Sequence, residues 1–324
     1  MVIEDNRMGK TNIYNEEEAE VLMVCESSEW GGSWTEEKLD AFEKYVNAYL
    51  TIMNTFRDKH NWKLIYFDGF AGSGTRNEND VQPISELLLD LFNDECLDED
   101  ELNTYKGAAE RVLGIEQRGF DWYVFVDKSM ESSQQLEKRL EKFKSQRNLV
   151  FRTSDANEQI SLLANAMKKD NSLAALVLLD PFGMQVDWKS IELLKGTRTD
   201  LWILIPTGVI VNRLLDRKGE LTHIEKLTSF FGKDENFLRD YFYKKRTVET
   251  LFGETEIVEK VKQPIEKIAQ LYIEQLGKIY KHFTDKPLVL CNSRHTPIFH
   301  FACASNNPTA IKIAKQIINK KQGV

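Results

Sequence analysis

The chain has 324 residues, 42% of them hydrophobic and 29% charged, with only 7 prolines. That is the composition of a folded globular protein, and it excludes disordered and collagen-like classes. Acidic residues number 51 against 43 basic ones, a net charge of −8, so the body as a whole is not that of a non-specific nucleic-acid binder, while a local basic face stays compatible with it.

Four cysteines, Cys25, Cys96, Cys291 and Cys303, stand far apart with no CxxC pair. This spacing speaks against a zinc knuckle or a disulfide framework and for reduced thiols in a cytoplasmic protein. The first residues are polar and acidic, without an apolar signal-peptide core, and no run of about 18 apolar residues occurs, so neither secretion nor membrane spanning is expected.

In chain order, residues 1–34 read as a loosely ordered lead-in. Leu39, Phe42, Tyr45, Val46, Tyr49, Leu50 and Met53 then recur at helical spacing, with Thr35 as a plausible cap, which predicts a long amphipathic helix. The apolar run Leu64 to Phe67 ends in Asp68 and a glycine-rich turn and reads as a buried strand. A helix is expected from Pro83 to about Phe92, followed by an acidic surface connection from Asn93 to Asn103. A second apolar run ends at Asp127 and precedes a helix carrying Leu136, Leu140 and Phe143, and further runs end near Asp155, Asp180 and Pro206.

Strands apolar on both sides, alternating with helices, predict a parallel sheet covered on both faces: a doubly wound, Rossmann-like α/β fold. Residues 209–285 are charged and helical in pattern without a convincing strand, and are expected to form a helical insertion or cap on an α/β domain built from 35–208 and 286–324. The segments PLVLCNS and PIFHFACAS, separated by a few residues, are expected to be antiparallel neighbours, and a helix from Pro308 to Lys320 closes the pattern.

In an open parallel sheet, ligands bind beyond the carboxyl ends of the strands, and here Asp68, Asp127, Asp155 and Asp180 follow successive strands. The loop Asp68-Gly69-Phe70-Ala71-Gly72-Ser73-Gly74 is neither a nicotinamide fingerprint nor a phosphate loop with its lysine. Glycines let a ligand approach the backbone closely while an acid meets an ammonium, which fits the amino-acid tail of S-adenosylmethionine; the alternative is a tight turn without chemistry. Asp127 is placed to accept hydrogen bonds from ribose hydroxyls, or else caps the following helix; it lies much farther from Asp68 than the usual ~20 residues, which requires an insertion between them. Asp155 and Ala156 are placed to read an adenine edge, although Asp-Ala-Asn is also ordinary turn chemistry.

The Asp180-Pro181-Phe182-Gly183 step follows a fully apolar strand. An acid fixed by proline can hold an amine N–H and leave the nitrogen lone pair free, with Phe182 as a stacking surface; the alternative is a strand-ending turn. No Pro-Cys pair is present for transfer through a cysteine adduct. The run Arg239 to Arg246 interleaves cations with aromatics, as a nucleic-acid contact does, but also as one wet face of an amphipathic helix does. His295 and His300 lack metal-ligand spacing and read as structural, and no metal site is expected.

On Trp34-Thr-Glu-Glu-Lys-Leu39, Phe67 to Gly74, Leu178-Leu-Asp-Pro-Phe-Gly183 and Pro297 to Ser305, the chain resembles the bacterial and phage three-Cys-motif partner proteins (TcmP). That family looks like class I methyltransferases, so the resemblance implies a seven-stranded sheet whose last strand is antiparallel, S-adenosylmethionine as cofactor, and a companion protein bearing a three-cysteine motif. The Asp-Pro-Phe-Gly step is similar to that of RNA guanine amine methyltransferases and, more loosely, to the Asp-Pro-Pro-Tyr of DNA amine methyltransferases, from which it differs by lacking the second proline. The expected activity is methyl transfer to an exocyclic amine of a nucleic acid, and its rival is a non-catalytic partner or scaffold of the same fold.

Overall fold

A computed structural model describes residues 32–74, 107–250, 253–292 and 294–323. Most of the predicted lead-in, the helix at Pro83 to Phe92, the acidic connection after it, and Cys25 and Cys96 lie outside the described residues. The first helix, α1, spans Gly32–His60. It begins before Thr35, so that residue lies within the helix and does not cap it. Its apolar stripe from Leu39 to Met53 is buried, its last turn carries Arg57, Lys59 and His60 where the helix dipole favours cations, and it stops at Asn61, whose φ is +52°.

From there the chain alternates: β1 (Lys63–Asp68), α2 (Ala108–Leu113), β2 (Trp122–Asp127), α3 (Met130–Arg139), β3 (Leu149–Thr153), α4 (Ala156–Lys169), β4 (Leu173–Leu179), α5 (Trp188–Glu192) and β5 (Thr199–Ile205). A π-turn at Thr207–Val211 leads into the short α6 (Asn212–Leu214), then α7 (Ile224–Phe231), α8 (Glu235–Phe242), a hairpin of β6 (Tyr243–Thr250) and β7 (Gly253–Lys260), α9 (Pro264–Ile279), β8 (His282–Phe283), β9 (Leu288–Cys291), β10 (Pro297–Ser305) and α10 (Pro308–Gln322).

Eight strands form one mainly parallel, mixed sheet in the order β3-β2-β1-β4-β5-β10-β8, with β9 also paired to β10. β1 to β5 are parallel to one another, and β10 runs antiparallel to β5, β8 and β9. The α/β class, the covered parallel sheet and the antiparallel pairing of the last two long strands are as the sequence predicts. Strand β4 shows why the pattern reads as a continuous apolar run: Ala175, Val177 and Leu179 join the core on one face, Ala174, Leu176 and Leu178 the core on the other. Residues of α1, α2, α3 and α10 cover one face and those of α4, α5, α7, α8 and α9 the other.

Residues 209–285 depart from the purely helical insertion expected of them. They contain the β6–β7 ribbon, and α9 is not a cap but a core helix, burying Ile268, Leu271, Tyr272 and Leu276 against the sheet. Three strands, not two, follow α9, because the two-residue β8 pairs with the far end of β10. The basic run also divides: α8 ends at Phe242, and Tyr243 to Arg246 belong to β6.

Candidate active site

Strand order reverses between β1 and β4: β2 and β3 lie to one side, β5 to the other. The crevice at this switch point is the expected ligand position in an open α/β sheet, and both principal loops open into it. β1 delivers Asp68 to the rim, where Asp68 pairs in register with Leu178, two residues before Asp180 on the neighbouring strand.

The β1 exit loop is held by the sheet itself. Gly69 N donates to Leu178 O at 2.9 Å, Ala71 N to Val126 O at 2.9 Å, and Gly72 N to Asp127 Oδ2 at 3.0 Å. Gly72 and Gly74 have φ of +59° and +77°, a region that side chains adopt only at a cost. A Cβ on Gly72 would meet no atom within 4 Å, so the space over the loop is open, whereas one on Gly74 would come within 2.8 Å of Leu136.

A cavity of about 120 Å³ at this point gathers Asp68, Phe70, Gly72, Gly74, Asp180 and Phe182 with Trp34, Lys38 and Phe299. Asp68 is 2% exposed. Its Oδ2 accepts from Tyr66 Oη and its Oδ1 from Phe70 N, each at 3.2 Å, and among the described residues no cation lies in ion-pair contact with it. Burial pushes its carboxyl up to about 7; the Phe70 N–H opposes this, and the negative charge of Asp180 adds to it.

Asp180 is bound differently. Lys38 of α1 places Nζ 2.5 Å from Asp180 Oδ2. The Lys38 ammonium also lies 5.4 Å from the Trp34 ring centre, and Trp34 stacks on Phe299 at 5.0 Å. Phe182 stands 49% exposed beside this group, and Pro181 is buried beneath it.

Among the other predicted site residues, Asp127 acts on the loop: besides Gly72 N, it accepts from Ser129 N at 2.7 Å. Asp155 caps α4 by accepting from Asn157 N at 2.9 Å, and neither it nor the buried Ala156 lines the cavity. Gly69 too stays behind the lining, packed so closely that a Cβ would fall 2.7 Å from Leu179. The neighbouring Asn157 proves to be a strut for the segment that follows β4: its Nδ2 donates to Gln185 O, and its Oδ1 accepts from Asp187 N, each at 2.8 Å. His300 Nδ1 lies 2.8 Å from Thr207 Oγ1, and burial pushes its imidazole down to about 4, so the ring is neutral near pH 7.

In the basic run, Phe242 and Tyr243 are buried in the core. Arg239 binds Glu235 and Gly219 O, while Lys245 and Arg246 face Glu256 and Glu259 across the ribbon at 3.5 and 3.9 Å. Among the described residues, no group of three or more His, Cys, Asp or Glu side chains could hold a metal ion, and no helix is long and apolar enough to cross a membrane. In sequence comparisons, no protein-family model and no curated protein matches the chain.

Proposed function

We propose that the chain is an S-adenosylmethionine-dependent methyltransferase acting on an exocyclic amine of a nucleic acid in the cytoplasm. One observation carries the reading: Asp68 is a buried acid beside an open, glycine-walled loop, with two hydrogen bonds and, among the described residues, no ion pair of its own, since the nearby Lys38 is bound to Asp180. A buried carboxylate without a directly paired cation is costly, and the ammonium of the cofactor's methionine end would relieve that cost. Gly72 and Gly74 would let this end lie against the backbone, and Asp127, already fixed to the loop, would take the ribose hydroxyls. Asp155 and Ala156 would stand on the adenine side. The parallel order β3-β2-β1-β4-β5 followed by antiparallel β10 supports the reading, with eight strands where the three-Cys-motif partner resemblance implies seven.

When bound, the cofactor supplies a methyl group already made electrophilic by its sulfonium, so the protein's task is to position and desolvate. Lys38 ties down Asp180 Oδ2 and leaves Oδ1 to hold the amine N–H together with the Pro181 carbonyl. The proton that the nitrogen sheds passes to Asp180, and Phe182 gives a face on which a base can stack.

Calorimetric titration with S-adenosylmethionine and S-adenosylhomocysteine, on the wild type and Asp127→Ala, tests the cofactor. Micromolar binding weakened by the substitution is expected; no binding to the wild type overturns the reading. Asp180→Ala should then abolish transfer of labelled methyl to RNA or DNA while cofactor binding survives.

A second reading draws on the Lys38–Asp180 contact, because an acid already engaged by a lysine also suits a non-catalytic fold that serves a three-cysteine-motif protein. That reading predicts partner binding that is lost on cutting residues 209–285 and unaffected by Asp180→Ala.

A further inference from the structure

At the opposite rim of the sheet lies a much larger cleft, of about 1030 Å³, at the upper end of the roughly 300–1,000 Å³ of small-molecule sites. It is walled by the C-terminal half of α1, the first residues of β4 and β5, the end of α9 and the start of α10. No residue of the proposed methyl-transfer site lines it.

Its charge contrasts with that of the chain. Lys195, Arg198, Lys278 and Lys281 line it against the single acid Asp200, in a protein of net charge −8. None of these four cations is ion-paired to a carboxylate among the described residues. Arg198 is held in place, its guanidinium 4.8 Å from the Trp62 ring centre and its Nη1 donating to Asn171 O at 2.7 Å.

Phe56, 45% exposed, turns an aromatic surface to the cleft. Asp200 keeps some solvent contact at the floor while accepting from Tyr45 Oη at 2.8 Å and from Ser305, which leaves lone pairs for an amine or hydroxyl.

We propose that this cleft is a second binding site, for a nucleoside phosphate, with the phosphate between Lys195, Arg198 and Lys281, the base on Phe56, and a base amine or ribose hydroxyl on Asp200. Cations without acid partners, an open aromatic face and a deep acceptor together match that ligand; a purely apolar or cationic ligand leaves the rim charges unanswered. The site stands independently of the methyltransferase reading. The nucleotide is either free or the end of an RNA strand, since both offer the same chemistry.

The test is calorimetry with the four ribonucleoside 5′-monophosphates and with a short 5′-phosphorylated RNA. Binding is expected from at least one of them. The double exchange Lys195→Glu with Arg198→Glu should weaken it at least tenfold and Phe56→Ala about tenfold, while S-adenosylhomocysteine binding and the melting temperature stay as in the wild type. Asp127→Ala, which acts at the other rim, should leave nucleotide binding unchanged. Monophosphate binding identifies the free nucleotide and RNA-only binding the strand end; either result supports the site. No binding of any probe at about 1 mM, or binding lost in Asp127→Ala but kept in the double exchange, overturns it.

Discussion

Asp68 and Asp200 sit at opposite rims of one sheet, and burial raises the carboxyl of each above the ordinary range. Asp200 is met by two hydroxyls, from Tyr45 at 2.8 Å and from Ser305, which tie α1 and β10 to the start of β5. Asp68 has longer bonds of 3.2 Å to Tyr66 and Phe70 and shares its crevice with the negative Asp180. Asp200 is knitted into the fold by both of its oxygens, whereas Asp68 has only the longer contacts. Two acids raised by burial thus differ in how firmly the protein itself satisfies them.

The comparison is tested most strongly by Asp68→Ala. Losing a charge-assisted contact to the ligand is expected to weaken S-adenosylmethionine binding about 100-fold, roughly 2.7 kcal/mol, while the loss of an acceptor for Tyr66 and Phe70 costs about 1 kcal/mol of stability; calorimetry paired with urea unfolding reads both, and unaltered affinity would remove Asp68 from the site. Asp200→Ala should do the reverse, leaving two hydroxyls without their acceptor and costing about 2 kcal/mol in urea unfolding while cofactor affinity is unchanged. Gly72→Ala adds a Cβ that strikes nothing, so its cost is backbone strain alone, about 1–2 kcal/mol; Gly74→Ala, with Leu136 in the way, should lower the melting temperature further.

The smallest effect is in pH. Asp68 binds its proton more tightly folded than unfolded, so its contribution to stability is full below the ordinary carboxylate range, falls as pH rises toward about 7, and is flat above. An ammonium needs the ionised acid, so cofactor affinity should rise with pH up to about 7 and level off, by at most about tenfold per unit. Because Lys38 holds the Asp68 carboxyl down, Lys38→Met should move that midpoint upward; an unmoved midpoint would assign the titration to another group.

The parallel half of the sheet was legible in the sequence because strands buried on both faces must be continuous apolar runs, and the acids at their ends mark the rim. The ribbon β6–β7 was not, since Lys244, Lys245, Arg246, Glu254, Glu256 and Glu259 give it no apolar run; what holds it is Tyr243 in the core, with its Oη donating to Asp216 O at 2.8 Å. At the site, Asp68, Gly72, Gly74, Asp180 and Phe182 could be named from local pattern. Lys38 could not: it reads as one more charged residue on a helix, and only the fold brings it 142 positions along the chain to Asp180. Its signal was present in the Trp34 to Leu39 run, whose Trp34 and Lys38 both reach the cavity.

The late position of β10 bears on how the protein is made. Strand β5 is apolar on both faces, and its partner on that side, β10, begins at Pro297, some 90 residues further on. At roughly 5–20 residues per second on the ribosome, the nascent sheet waits about 5–20 s with an uncovered, sticky edge. Chains stalled in that interval are the ones that should aggregate or recruit a chaperone, so the yield of this protein is set by translation speed between Ile205 and Pro297 as much as by the stability of the finished fold.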